Sequence, residues 1–442
     1  MSTYDYLKVY QEKTQGSLRE LKKAEEVLPL GVGSTFRRYL PYPMVVEKAS
    51  GSKLWDVDGN EYIDFNLCYG ALIVGHSHPK IVETLQQQAS RGTLYGMPHK
   101  LNYELAKIIV EAMPIDMVRF ANSGTEATMH AIRLARGYTG KNKIIKMEGG
   151  YHGAHDYVLV STKPPRGKIG KADAPTPVLP TAGIPKEAVA HTLVAQFNDL
   201  DSVKRLLEQY PYDVAAVIVE PVMMNLTIAM PDEDFFQKLL QLCREYGTLL
   251  IFDEVKTGFK LGRGGACEYF NIKPDIICLA KSFGGGMPIA AFGARREIMQ
   301  EIESKNVLHA GTYSANPLCV AVALVTLREI LTDEAYKRIF RLNKMLVEGC
   351  DKIIKEHKLP AVTAGAGANG CVVWLKRPVR NYRDYLEVND QLFKAYWFGM
   401  FNRGIIAQPA GKDEQWTISV QHTEEDIKTH IQVFEEVAKE LK

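Results

Sequence analysis

The chain has 442 residues, 46% hydrophobic and 24% charged, which is ordinary for a globular protein and excludes disorder as a global description. Lysine and arginine total 54 against 52 aspartates and glutamates, so the net charge of +2 gives no electrostatic reason to expect nucleic acid or an anionic membrane as a partner. The seven cysteines are odd in number and form no CxxC pair, a pattern of scattered reduced thiols in a cytoplasmic protein rather than a disulfide framework or a zinc ribbon, and no metal is expected.

The N-terminal stretch lacks the apolar core of a secretory signal, and the longest apolar runs fall short of the ~18 residues that cross a bilayer, so a soluble protein is expected. Residues 1–30 read as one amphipathic helix, with Leu7, Tyr10, Leu18, Leu21 and Leu28 among charged neighbours. KLWDVDG and NEYIDF read as strands joined through the turn dipeptide Asp58-Gly59. From about residue 60 to 325, short apolar runs alternate with helical stretches: DMVRFAN, NKIIKME, VAAVIVEP, TLLIFDE and DIICLAK. That alternation predicts an α/β architecture with a mostly parallel central sheet covered on both faces. Beyond Pro317 a long helical pattern, weaker strand signals at CVVWLK and WTISV, and a charged terminal helix read as a smaller α+β domain. The expected division is 1–60 contributing to the small domain, 61–325 as the large domain and 326–442 as the C-terminal small domain. The segment 163–188 is rich in Pro, Gly, Lys and Ala, and a loop of that length is usually a lid, a binding loop or a disordered insert.

Three stretches carry chemistry. In NSGTEATMHAIRLARG, Ser123 and Glu126 have capping-box spacing, so a helix should begin there after the VRF strand. Ser123, Gly124 and Thr125 then surround a helix N-terminus, a favourable site for a phosphate, although the same pattern serves as an ordinary cap. In LLIFDEVKTGF, an apolar run delivers Asp253 to the C-terminal edge of a strand, where open α/β sheets bind ligands; a salt bridge to an arginine is the plainer reading. In DIICLAKSFGGG, Lys281 stands at the end of another buried run before three glycines. It is either a snorkelling lysine or an amine nucleophile activated by its surroundings. A phosphate cradle, a strand-end carboxylate and a strand-end lysine are together the parts that pyridoxal phosphate needs. No GxxxxGK[ST] occurs, and GRGG at 262–265 lacks the strand–GxGxxG–helix context of a dinucleotide fold.

Through GHSHP (75–79), NSGTEA (122–127), GGYHG (149–153), EPVMMN (220–225), FDEVKTGF (252–259), LAKSFGGGMP (279–288) and GTYSANP (311–317), the sequence resembles the class III aminotransferases of PLP fold type I. More narrowly it resembles glutamate-1-semialdehyde 2,1-aminomutase and its relatives that act on β-amino or D-aryl amino acids. The resemblance implies that Lys281 is the Schiff-base lysine that also shuttles the proton, and that Asp253 pairs with the pyridine nitrogen. It places Val255 on one ring face and Tyr151 on the other, with His152 close by. Ser123, Gly124 and Thr125 would hold the phosphate, and Asn225 the ring hydroxyl. Thr312 would reach the phosphate in a neighbouring subunit, which implies a homodimer with shared active sites. Pyridoxal 5'-phosphate is the implied cofactor, with pyridoxamine 5'-phosphate as its intermediate form, and a small-molecule amino donor and keto acceptor are the implied partners.

Ser34 and Arg37 match positions that contact a substrate carboxylate in the aminomutase, and Tyr69 and Glu414 stand near others in its substrate site. The strand text QWTISV carries no arginine, so recognition of a carboxylate falls to Arg37. The text around Glu414, PAGKDEQW, departs from the aminomutase pattern, and Tyr69 stands where that enzyme usually has tryptophan. With the long 163–188 segment, these departures point to an intermolecular aminotransferase. The alternatives are an intramolecular aminomutase, then a racemase or a non-catalytic cofactor-binding protein.

Overall fold

The computed structural model describes residues 3–441, with side chains from Asp5 onward. The chain divides into two units. One takes in the residues up to Pro79, Lys337–Pro378 and the chain from Val388 onward; the other takes in Lys80–Tyr336 and Val379–Glu387.

The Lys80–Tyr336 unit is built on seven strands: β1 (Met117–Ala121), β2 (Lys143–Met147), β3 (Thr192–Ala195), β4 (Val214–Val219), β5 (Leu249–Asp253), β6 (Ile276–Leu279) and β7 (Ala290–Ala294). Their order is β1-β7-β6-β5-β4-β2-β3. Only β7 runs against its neighbours β1 and β6; the pairs β6–β5, β5–β4, β4–β2 and β2–β3 are parallel. Both faces of the central strands are covered, which is why VAAVIV and LLIFD are buried at every position and read as unbroken apolar runs rather than alternating ones. Helix α1 (Gly124–Thr139) lays Ala127, Ala131, Leu134 and Ala135 against Ile144, Ala216, Ile218, Ile251, Ile276 and Phe292. The alanines let its axis lie close to the sheet, and because β1, which runs in the same direction as β6, leads directly into it, its N-terminus sits at the C-terminal ends of the parallel strands.

The other unit holds two small sheets. Val46–Ser50, Lys53–Asp56 and Glu61–Asp64 form an antiparallel meander through the expected Asp58-Gly59 turn, and Ile405–Ile406 joins Glu61–Asp64 in parallel. Val362–Ala366, Asn369–Val373 and Trp416–Thr417 form the second, antiparallel sheet. The single helix expected over 1–30 is two helices, Thr3–Lys13 and Gln15–Glu25, followed by a short 3-10 turn. Thr14 has non-helical backbone angles, and its hydroxyl donates to the Tyr10 carbonyl at 2.6 Å. The carboxylate of Asp58 accepts from the N–H groups of Gly16 and Ser17, so the second helix is capped from 40 or more residues away, which a local pattern does not reveal. The expected strand at 416–420 is ordered as a strand only over Trp416–Thr417.

The segment 163–188 contains a short 3-10 turn at Arg166–Lys168 and a bridge between Gly170 and Pro175, and it leads into a helix at Lys186–Ala190. Among the described residues no helix is long and apolar enough to cross a membrane.

Candidate active site

The parallel strands place five chain segments along one sheet edge. β1 leads to Ser123, β2 to the Gly149–Gly153 turn, β4 to Glu220, β5 ends in Asp253, and β6 leads to Lys281. In the register of adjacent β5 and β6, Asp253 lies opposite Cys278, so Asp253 and Lys281, three residues past Cys278, leave the sheet at the same edge. Lys281 has φ of +52°. For a residue with a β-carbon that conformation costs about 1–3 kcal/mol and is typical of functional positions held by their surroundings. Asp253 is buried, and its Oδ2 lies 2.8 Å from Nδ1 of His152 while its Oδ1 accepts from the Val255 N–H at 3.0 Å. Nε2 of His152 is buried without a hydrogen-bond partner among the described residues.

Helix α1 starts as expected, with Ser123 Oγ accepting from the Glu126 N–H at 3.2 Å. The return bond differs from a standard capping box: Glu126 accepts from the N–H of Asn122 at 2.6 Å, one residue before the cap. The N–H groups of Gly124 and Thr125 belong to the first turn and have no intrahelical acceptor. A side chain at Gly124 would bring a β-carbon within 3.1 Å of both Val255 methyls, and one at Gly153 (φ +105°) within 2.7 Å of the Thr125 α-carbon. Bare backbone is therefore required where the helix terminus, Val255 and the Gly149–Gly153 turn converge. Donors suited to a phosphate, an acceptor-only carboxylate suited to a protonated ring nitrogen, and a nearby amine together fit pyridoxal phosphate.

Glu220 is a participant that the sequence did not single out. Its Oε1 accepts from the Tyr151 N–H at 2.9 Å and its Oε2 from Asn225 Nδ2 at 2.8 Å, so one buried carboxylate fixes two residues of the cradle. Burial holds it above the usual carboxylate range, against the pull of His152 and the Tyr151 N–H. It follows an apolar run, as Asp253 does, and that placement was the available signal. Lys146 is wholly buried beneath the same turn, donating to the Gly150 and Val160 carbonyls at 2.8 and 2.6 Å. Desolvation pulls its amine down to about 7. His155, also desolvated and beside His152, falls to about 4, so it is neutral at physiological pH.

The four candidate substrate residues belong to the other unit. Ser34 precedes the Thr35–Arg37 turn and its carbonyl accepts the Arg37 N–H. Ser34 and Arg37 are exposed. The Tyr69 hydroxyl donates to the Phe36 carbonyl, which ties Tyr69 to that turn. Burial first, then the charge of Glu414, pushes the Tyr69 phenol up to about 12, with Arg37 pulling the other way. Arg37, Tyr69 and Glu414 thus form one electrostatic group, although they lie up to 377 positions apart. Glu414 is buried after a tight turn in which its N–H donates to the Gly411 carbonyl. Thr312 is exposed and lines a cavity of about 610 Å³ with Tyr95, Met97, His99, Arg119 and His309; Ser123 and Lys281 are not among its walls.

A largely parallel sheet with its lysine, aspartate and phosphate-ready helix at one edge defines a pyridoxal-phosphate-dependent transferase of fold type I. The family model "Aminotransferase class-III" matches residues 35–436, and the chain belongs to that family. Glutamate-1-semialdehyde 2,1-aminomutase of Bacillus subtilis is 41% identical over 425 residues, covering 95% of this chain and 97% of that protein. Among solved structures, an omega-transaminase from Sphaerobacter thermophilus superposes with a TM-score of 0.93 at 31% identity, over 98% of this chain and 99% of that one. A glutamate-1-semialdehyde-aminomutase from Pseudomonas aeruginosa in complex with PMP superposes with a TM-score of 0.90 at 25% identity, over 100% and 98%.

Proposed function

We propose that this enzyme is an intermolecular aminotransferase that moves an amino group between a β- or unusual α-amino acid and a keto acid, with Lys281 as its catalytic amine. The observation that carries the reading is the delivery of Lys281 and Asp253 from adjacent strands to one edge, with His152 holding Asp253. Pyridoxal phosphate supplies an electron-accepting ring that weakens the bond to hydrogen on the carbon bearing the amino nitrogen. Lys281 Nζ takes that proton and later returns it. Asp253 would pair with the ring nitrogen of the bound cofactor, and His152 orients that carboxylate. Ser123, Gly124 and Thr125 would bind the phosphate, Asn225 would reach the ring hydroxyl, and Val255 and Tyr151 would confine the ring. Arg37, with Ser34, grips the substrate carboxylate, and Tyr69 and Glu414 shape its surroundings.

Release of a product between half-reactions is supported by the long 163–188 segment and by the altered text around Glu414. The aminomutase reading is favoured by the 41% identity to the Bacillus subtilis protein of that name. An amine-donor screen with and without 2-oxoglutarate, run beside glutamate 1-semialdehyde alone, separates the two. Acceptor-dependent turnover of a donor supports the aminotransferase. Conversion of glutamate 1-semialdehyde with no acceptor makes it the aminomutase.

A homodimer with Thr312 serving the neighbouring site is part of the same proposal. Leu94, Tyr95 and Met97 are exposed on the cavity that holds Thr312, and Tyr103, Leu308 and Tyr313 are exposed as well. Three polar atoms in its walls, His99 Nδ1, Asn102 Oδ1 and His309 Nε2, are buried without partners among the described residues. Light scattering that returns a monomer at micromolar concentration would remove this part. The cytoplasm is the proposed location, consistent with seven free cysteines, of which only Cys68 is exposed.

A further inference from the structure

Most of the 163–188 segment is exposed, with Pro164, Ile169, Pro175, Val178 and Ala188 as its buried residues. So few apolar anchors do not fix a Pro- and Gly-rich stretch by burial alone. Ser161 holds Val178 through two hydrogen bonds, its N–H donating to the Val178 carbonyl at 2.8 Å and its Oγ accepting from the Val178 N–H at 2.9 Å. The Pro164–Lys171 half is held from Val379–Glu387, a short excursion whose flanking chain on either side belongs to the other unit. Arg383 donates to the carbonyls of Ile169, Gly170 and Lys171 at 2.9, 2.9 and 3.1 Å. The same guanidinium grips both oxygens of Glu148, at 2.7 and 3.1 Å. The Glu148 side chain is fully buried, and burial holds its carboxyl above the usual range although Arg383 pulls the other way. The Tyr382 hydroxyl donates to the Pro164 carbonyl at 2.7 Å.

The excursion is itself anchored. Asn381 Oδ1 accepts from the N–H groups of Arg383 and Asp384, Arg380 pairs with Asp232, and Asn198 Nδ2 donates to the Arg380 carbonyl.

Glu148 and Gly149 are also the root of the turn that carries Tyr151 and His152. The Tyr382 ring fills the space beside Gly149, where a β-carbon would meet it at 2.3 Å. The segment and the cofactor turn therefore hang on the same two side chains. Three carbonyls and a bidentate carboxylate converge on one planar fork, an arrangement that a lysine does not reproduce.

We propose that Arg383 and Tyr382 are positioning residues that latch the 163–188 segment to the base of the Tyr151–His152 turn and so govern substrate retention. The kinetic part rests on the amino-transfer reading; the latch itself does not. Arg383→Lys keeps a cation for Glu148 but loses the fork. In the cofactor-loaded enzyme, this variant is expected to melt near the wild type and keep its cofactor absorbance. Trypsin should cut it after Arg166, Lys168 or Lys171 about tenfold faster, and the KM of the amino donor should rise about tenfold with a smaller change in kcat. Tyr382→Phe, which removes one hydroxyl, should shift both quantities the same way by less. Wild-type cleavage in both variants overturns the latch. Faster cleavage with an unchanged KM overturns its role in substrate retention. The cleavage measurement needs no substrate, so its failure is distinct from a failure of the proposed reaction.

Discussion

Nδ1 of His152 lies 2.8 Å from Oδ2 of Asp253, and both side chains are buried. An ionised carboxylate offers only acceptors, so towards it His152 Nδ1 is the donor, and the hydrogen bond fixes the orientation of the Asp253 carboxylate. Replacing Asp253 with Asn keeps the shape and removes the charge. Proton abstraction is then expected to slow about 10²–10³-fold, the size of loss seen when one preorganised electrostatic partner, such as an oxyanion-hole donor, is removed. His152→Ala leaves the charge but frees the carboxylate to turn, and a loss of about tenfold is expected. Stopped-flow absorbance of the first half-reaction measures both; equal rates in Asp253→Asn and the wild type would mean that another group supports the ring.

Lys281→Ala is expected to abolish turnover while leaving a folded protein that still binds cofactor. The start of helix α1 and the Asp253 carboxylate are held by bonds that do not involve Lys281. Borohydride reduction followed by peptide mass spectrometry should find the cofactor mass on the peptide containing Lys281 in the wild type and on no peptide in the variant. Its appearance on another lysine would reassign the catalytic amine.

The placement of Asp253, Lys281 and the Ser123 helix start is legible in the sequence because each coincides with the end of a strand or the start of a helix. Asp253 and Lys281 each terminate an apolar run, and Ser123 with Glu126 announces a helix start. Glu220 obeys the same rule, but its partners, the Tyr151 N–H and Asn225, become visible only when β2 and β4 lie side by side. Arg383 left no signal, because its acceptors lie more than 200 positions upstream and three of them are backbone carbonyls. The break at Thr14 was hidden for the same reason: the capping carboxylate of Asp58 is supplied by the fold, not by a neighbour in sequence.

Arg37 is expected to act on substrate affinity and not on the chemical step. It is exposed in a turn whose conformation depends on backbone bonds and on the Tyr69 hydroxyl, so Arg37→Gln should leave the fold intact. Loss of a charged hydrogen-bonding pair to a carboxylate corresponds to about a 10- to 100-fold rise in KM. Donors without a carboxylate should be unaffected, and steady-state kinetics on an acid and its matching amine provide the comparison. An equal penalty on both would place carboxylate recognition elsewhere.

Gly153→Ala probes the close approach of the Gly149–Gly153 turn to the first turn of helix α1. At φ of +105° the new β-carbon would lie 2.7 Å from the Thr125 α-carbon, and that contact with main chain is not relieved by turning a side chain. Gly183 has φ of +89° but open space around it, so Gly183→Ala reports the conformational cost alone. Thermal unfolding of the apoprotein should therefore show Gly153→Ala as the more destabilised of the two by about 1–3 kcal/mol. Cofactor titration should show weaker binding in that variant only. Equal melting temperatures would mean that the turn shifts away from Thr125 without cost.

Lys146 gives a pH dependence of defined sign. The amine has an ordinary value of 10.5 and is pulled down to about 7 by burial. Between those values the unfolded chain holds a proton that the folded chain has released, so stability rises with pH across this window. Below about pH 7 both states carry the proton, and the folded protein bears the full cost of the buried charge. A neutral amine still has two N–H groups for the Gly150 and Val160 carbonyls, so deprotonation removes the charge without losing those bonds. Lys146→Met has no titrating group at this position. The difference in urea midpoint between wild type and variant should therefore move in favour of the wild type from pH 6.5 through 8 to 9.5. A difference that stays constant over that range would show that the Lys146 amine remains protonated in the fold.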